Sequence, residues 1–72
     1  MKIFDAADFG KAIKERRKEL GYTQKYLSDF TGYSTSFISE LENGKPTIEL
    51  ERALRLANLL GIDVWMEERG RH

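Results

Sequence analysis

A single glycine, Gly32, stands between two helical patterns of only about eight residues each, and this spacing constrains the fold more than any other feature of the chain. The stretch from Thr23 to Lys45 reads TQKYLSDFTGYSTSFISELENGK. Thr23 has the short oxygen-bearing side chain of an N-cap, and a helix from Gln24 to about Thr31 is predicted to turn Leu27 and Phe30 inward at i, i+3 spacing. Gly32 ends that helix, because glycine enters the left-handed region without a Cβ penalty and lets the chain reverse sharply. Tyr33 follows as an apolar plug. Ser34 is a second N-cap, and a helix from about Thr35 to Asn43 buries Ile38 and Leu41 before Gly44 stops it.

The flanking segments are predicted to cover this hairpin. Asp5 caps a helix from about Ala6 to Leu20, whose apolar stripe is Phe9, Ala12, Ile13 and Leu20 with the stem of Arg16 or Arg17. Gly21 closes it, and Tyr22 is placed to staple onto the next helix. Beyond Gly44, Pro46 cannot continue a helix, and Thr47 is positioned to cap a last one from Ile48 to about Leu60. That helix carries two apolar stripes, Leu50, Ala53, Leu54 and Ala57 on one side and Leu56, Leu59 and Leu60 on the other. The second stripe either meets another copy of the chain or is buried within one. After Gly61, residues Ile62 to Glu67 alternate apolar and polar apart from Trp65, which reads as a strand. A lone strand leaves its backbone groups unpaired, so its partner is either the Lys2 to Phe4 segment or another subunit. The expected architecture is an all-α domain of four or five helices with a short C-terminal β-strand. Arg69 to His72 is expected to be a frayed tail.

Composition excludes several classes. Seventy-two residues suffice for one small domain, which buries only about 60% of its unfolded surface. No cysteine is present, so disulfides and cysteine-based zinc sites are ruled out and a reducing, cytoplasmic setting is expected. No apolar run approaches the roughly 18 residues that would span a membrane. The one histidine, His72, is terminal, no G-x-x-x-x-G-K phosphate loop occurs, and the carboxylates at Glu40 and Glu42 or Glu67 and Glu68 are not accompanied by the residues of an acid–base set. No metal, cofactor or catalysis is expected. Twelve basic and twelve acidic residues cancel, although Lys11, Lys14, Arg16, Arg17 and Lys18 crowd the first helix and Lys25 and Lys45 flank the hairpin. Weak non-specific binding to nucleic acid follows, with a shallow salt dependence.

The outward face of the third helix carries Thr35, Ser36, Ser39, Glu40 and Asn43, together with much of Phe37. A helix entering the DNA major groove needs short hydrogen-bonding side chains at its start, so that its backbone can approach the base edges, and Ser34, Thr35, Ser36 and Phe37 meet that need. One rival is the solvated face of an ordinary helical hairpin; another is a protein-interaction module of the same fold without DNA binding, for which the zero net charge speaks.

The order Thr23-Gln24, Leu27, Gly32, Ser34, Ile38-Ser39 and Leu41-Glu42-Asn43-Gly44-Lys45 resembles the Xre/phage-repressor-type helix-turn-helix family, over nearly the whole chain. The resemblance implies a λ-repressor-like DNA-binding domain. By matching position it implies phosphate contacts at Gln24, Asn43 and Lys45, with Lys25 beside them, and base reading by Ser34, Thr35, Ser36 and Ser39, with Phe37 a weaker member. It also implies a structural ion pair between Arg17 and Glu42. Two departures are visible: Ser28 stands where the family usually has alanine, and only Ser and Thr precede Glu40 on the reading helix. The C-terminal helix, glycine and short apolar strand resemble the HipB-like antitoxins, which pair strands across a two-fold dimer. That likeness implies a homodimer on a palindromic double-stranded DNA operator, an interface through Leu56, Leu59, Leu60, Val64, Trp65 and Met66, and a HipA-like kinase toxin as partner.

Overall fold

The computed structural model describes residues 1–70 of the chain; Arg71 and His72, on which part of the expected frayed tail falls, lie outside the described residues. Four helices follow one another: α1 (Ala6–Glu19), α2 (Gln24–Thr31), α3 (Thr35–Glu42) and α4 (Leu50–Leu59). The first three begin where a short polar side chain can accept an orphan amide. Asp5 accepts from Asp8 N, Thr23 from Tyr26 N and Ser34 from Phe37 N. The fourth starts two residues later than the sequence suggests. Its N-cap is Glu49, without a side-chain cap bond, and Thr47 lies in the preceding turn.

The turn at Gly32 has φ of 83°, and its N–H donates to Ser28 O at 2.8 Å. Ser28 reinforces it, because its hydroxyl donates to the carbonyl of Tyr33. The serine that departs from the family's usual alanine is therefore small enough for the helix crossing and also ties down the turn. Tyr22 meets the ring of Tyr26 at 4.7 Å, holding the entry to α2 as expected.

The core is Ile13 of α1, Leu27 of α2, Ile38 and Leu41 of α3, and Ala53, Leu56, Ala57 and Leu60 at α4, with Phe9, Leu20, Tyr22, Tyr33, Phe37, Ile48 and Ile62 packed around it. Two expectations about inward faces are corrected here. Phe30 is 54% exposed, because α2 turns Leu27 alone into the core and leaves Phe30 stacked at 6.4 Å on Tyr26 along its outer side. Leu56 and Leu60 are 0% and 2% exposed within one chain, so they are core residues with no surface to offer a second copy. Leu50, assigned to the opposite stripe, is exposed.

The strand anticipated at Ile62 to Glu67 is not formed. Among the described residues there is no β-ladder, and this segment runs without regular structure past the N-terminal residues Met1 to Phe4, the two lining a broad groove over Phe9, Ala12, Ile13 and Ala57. A single chain supplies no strand partner in register, and an unpaired strand has no ladder to stabilise it. No helix among the described residues is long and apolar enough to cross a membrane.

Helix α1 lies directly on the end of α3, and Gly10 makes this possible. A Cβ at position 10 would collide with the carbonyl oxygen of Leu41 and sit 2.8 Å from that of Glu42. Gly10→Ala is expected to lower stability. Overpacking costs about 1–3 kcal/mol, and the gain in helix propensity returns roughly 1 kcal/mol. Thermal unfolding should shift down by several degrees, and a raised melting temperature would show that α1 can retreat from α3.

Candidate nucleic-acid interface

Helix α3 is short enough to enter a groove end-on and is held rigidly from behind. Its eight residues span about 12 Å at 1.5 Å per residue, close to the width of a B-DNA major groove. Ile38, Leu41 and Glu42 fix its inner side. On its outer side Thr35, Ser36, Ser39 and Glu40 join Gln24, the first residue of α2, around one shallow open concavity. Every one of these side chains is polar, and only Gln24 and Glu40 are longer than threonine.

Behind this surface lies a buried polar network. Arg17 Nε donates to Glu42 Oε2 at 2.7 Å and Nη2 to Oε1 at 2.9 Å, while Nη1 donates to Tyr22 O at 2.8 Å. Arg17 and Glu42 are each 7% exposed. Gln24 Nε2 then donates to Glu42 Oε1 at 3.1 Å. Hydrogen bonding to Glu42 raises the Arg17 pKa further above its ordinary value, outweighing burial, which lowers it, and the charge of Glu42 adds to the rise. For a base with a raised folded pKa the stabilisation is complete below the unfolded value and lost only as pH climbs through the folded one. Arg17 therefore contributes across the entire neutral range.

The network also changes the reading of Gln24. Its amide nitrogen is directed at Glu42, which leaves the amide oxygen and the second N–H to face outward. Sequence reasoning named the ion pair and the glutamine separately. The signal that joined them was available in the spacing, since Gln24 and Glu42 occupy the two ends of the hairpin that α2 and α3 close.

The other expected residues fall into groups. Ser34 uses its oxygen to cap α3, accepting from Phe37 N at 3.0 Å, and its hydroxyl can still donate. Asn43 Nδ2 reaches Ser39 Oγ at 3.4 Å. Lys45 pairs with Glu40 at 3.3 Å and Lys25 with Asp29 at 3.2 Å, both on open surface. Exposed pairs of this kind contribute little, about 0–1 kcal/mol, and each ammonium keeps further donors with which to meet a phosphate. Phe37 is set apart. It is half-buried against the core, 5.2 Å from the Tyr33 ring and beneath the Arg52 guanidinium at 5.8 Å, and it does not line the concavity. Its size and apolarity draw it toward the core and α4, apart from the polar side chains of the concavity. Glu40, which the resemblance did not assign, does line it. Among the described residues no group of three or more His, Cys, Asp or Glu side chains converges to hold a metal ion.

A family model described as helix-turn-helix matches residues 13–64, taking in the second half of α1 and all of α2, the turn, α3 and α4. The chain belongs to that family. The SPbeta prophage-derived HTH-type transcriptional regulator YonR of Bacillus subtilis is 31% identical over 64 residues, a match covering 89% of this chain and 59% of YonR. The HTH-type transcriptional regulator y4mF of Sinorhizobium fredii is 33% identical over 63 residues, covering 88% of this chain and 83% of y4mF. In three dimensions the chain superposes on HipB in the HipB–O4 20mer complex with a TM-score of 0.85 at 23% identity, covering 96% of this chain and 97% of that one. The match to the HipA–HipB–O2–O3 complex has the same TM-score, identity and coverage. The fold is thus HipB-like, and the Xre-type helix-turn-helix character read from the sequence stands with it.

Proposed function

We propose that this protein is a sequence-specific transcriptional regulator that binds double-stranded DNA as a homodimeric repressor in the cytoplasm. The observation that carries this reading is the outer face of α3: Thr35, Ser36, Ser39 and Glu40 converge with Gln24 on one exposed polar surface, while the opposite face is locked to the core. Small side chains, from Ser34 at its start onward, let the α3 backbone approach base edges, and Gln24, Lys25, Asn43 and Lys45 serve as the phosphate contacts. The names of YonR and y4mF support regulation of transcription.

Dimerisation makes the reading geometric. Two α3 helices about 34 Å apart meet successive major-groove faces, so the operator is a palindrome or nearly one. The irregular stretch Ile62 to Glu67 supports a second copy as its partner, since Val64, Trp65 and Met66 are 49%, 73% and 94% exposed and Leu59 is 40% exposed. An apolar run of this kind on an open edge is costly to leave in water. Of the interface read from the sequence, these four residues remain, without Leu56 and Leu60.

The HipB likeness supports a further step, in which the protein represses its own operon as the antitoxin of a HipA-like kinase toxin. Co-purification with a kinase-like product of a neighbouring reading frame tests that step, and the absence of any such frame would leave a stand-alone regulator.

Removing Val64 to His72 tests the dimer. The shortened chain is expected to sediment as a monomer and to lose about 10²- to 10⁴-fold in operator affinity, the factor that linking two binding sites supplies. A dimer of unchanged mass would place the interface elsewhere.

A further inference from the structure

We propose that Glu40 determines sequence preference by accepting a hydrogen bond from the N4 amino group of a cytosine in the major groove, with Lys45 holding its carboxylate in place. The inference rests on the DNA-binding reading above and deepens it.

Three observations lead there. Glu40 lines the same concavity as Gln24, Thr35, Ser36 and Ser39, so a base edge seated on that surface meets its carboxylate. It carries the only negative charge on a lining otherwise built of Ser, Thr and Gln, and its side chain is half exposed. Lys45 Nζ lies 3.3 Å from Glu40 Oε1, which supplies local neutralisation that a carboxylate needs close to a phosphate backbone.

The chemistry of the four base edges then selects among them. An ionised carboxylate only accepts hydrogen bonds. Guanine presents two acceptors, N7 and O6, and thymine an acceptor and a methyl group, so both repel it. Adenine offers an amino donor but sets the N7 acceptor beside it. Cytosine offers its N4 amino group alone. Thr35, Ser36 and Ser39 can each donate or accept and so discriminate weakly, which leaves Glu40 as the side chain on this face with a one-sided demand.

The experiment selects preferred sites from a randomised duplex pool with the full-length protein, with Glu40→Gln and with Glu40→Ala, and then measures the affinity of each protein for the winning site and its single-base variants. The native chain should require C·G at one position of each half-site, with a penalty of about 5- to 150-fold for other pairs. Glu40→Gln should move that preference to A, since a glutamine amide matches N6 and N7 of adenine, and Glu40→Ala should abolish it, with every other position unchanged. Both variants keep an exposed position on an intact helix, and equal melting temperatures would verify this. If the native chain selects a site and both variants select the same one, the proposal is overturned while DNA recognition by α3 survives. A uniform gain in affinity on all sequences would overturn it too, because Glu40 would then act only as a like charge facing phosphate. A native chain that selects no sequence would overturn both this inference and the function it rests on.

Discussion

Glu42→Ala and Arg17→Ala should each destabilise the protein by about 3–5 kcal/mol, the cost of leaving a buried charge without its partner. A chain of 72 residues has on the order of 4–11 kcal/mol of total stability at roughly 0.05–0.15 kcal/mol per residue. Either substitution therefore removes from about a quarter of that stability to all of it. The two losses differ in detail. Without Glu42, the Arg17 guanidinium keeps only its bond to Tyr22 O, and Gln24 loses the acceptor that orients it. Without Arg17, the Glu42 carboxylate keeps only the Gln24 amide. Replacing both at once, as Arg17→Met with Glu42→Leu, removes the charges together and should recover most of the loss, because apolar substitutes for a buried pair are often neutral. Urea unfolding of the native chain and the three variants measures the two losses and the recovery directly. Single-variant losses below about 1 kcal/mol would show that water reaches the pair.

Introducing Ser36→Glu together with Ser39→Glu should reduce specific DNA binding by about a thousand-fold or more, to the level of non-specific association. The two positions lie on the outer face of α3, and both line the surface proposed to meet the bases. Two further carboxylates beside Glu40 would face phosphate-rich groove walls, and Lys45 is already paired with Glu40. Ser36 is exposed and Ser39 half-buried, so the fold should lose no more than about 0.5 kcal/mol and circular dichroism should be unchanged. Undiminished binding by this variant would remove α3 from the groove.

The contrast between what could and could not be read in advance has a physical basis. The caps at Asp5, Thr23 and Ser34 and the turn at Gly32 are local events, set by a residue and its neighbours within four positions, and each was legible. The buried pair of Arg17 and Glu42 is 25 positions apart and came from resemblance alone. Inward faces were less secure. Phe30 has the right spacing from Leu27 but also continues the Tyr22 and Tyr26 ladder at i+8 and i+4, and only the position of the neighbouring helices decides which side is covered. On α4, two apolar stripes look equivalent along the chain. The structure buries the combination Ala53, Leu56, Ala57 and Leu60, drawing from both. The role of Gly10 was invisible, because nothing in its own helix requires glycine; its reason is the Leu41 and Glu42 carbonyls packed against it. The alternating segment after Gly61 was read as a strand from its pattern, yet pairing needs a second backbone that one chain does not provide in register.

Affinity of the purified protein for its own promoter fragment and for scrambled DNA, measured across a salt series with mass determined in parallel, decides whether α3 reads a DNA sequence. The expected result is a dimer that prefers the promoter by about a thousand-fold or more, with a salt slope near 0.9 for each phosphate neutralised. Equal and feeble binding to both DNAs would contradict it, and would mark the polar face of α3 as the surface of a protein-interaction module.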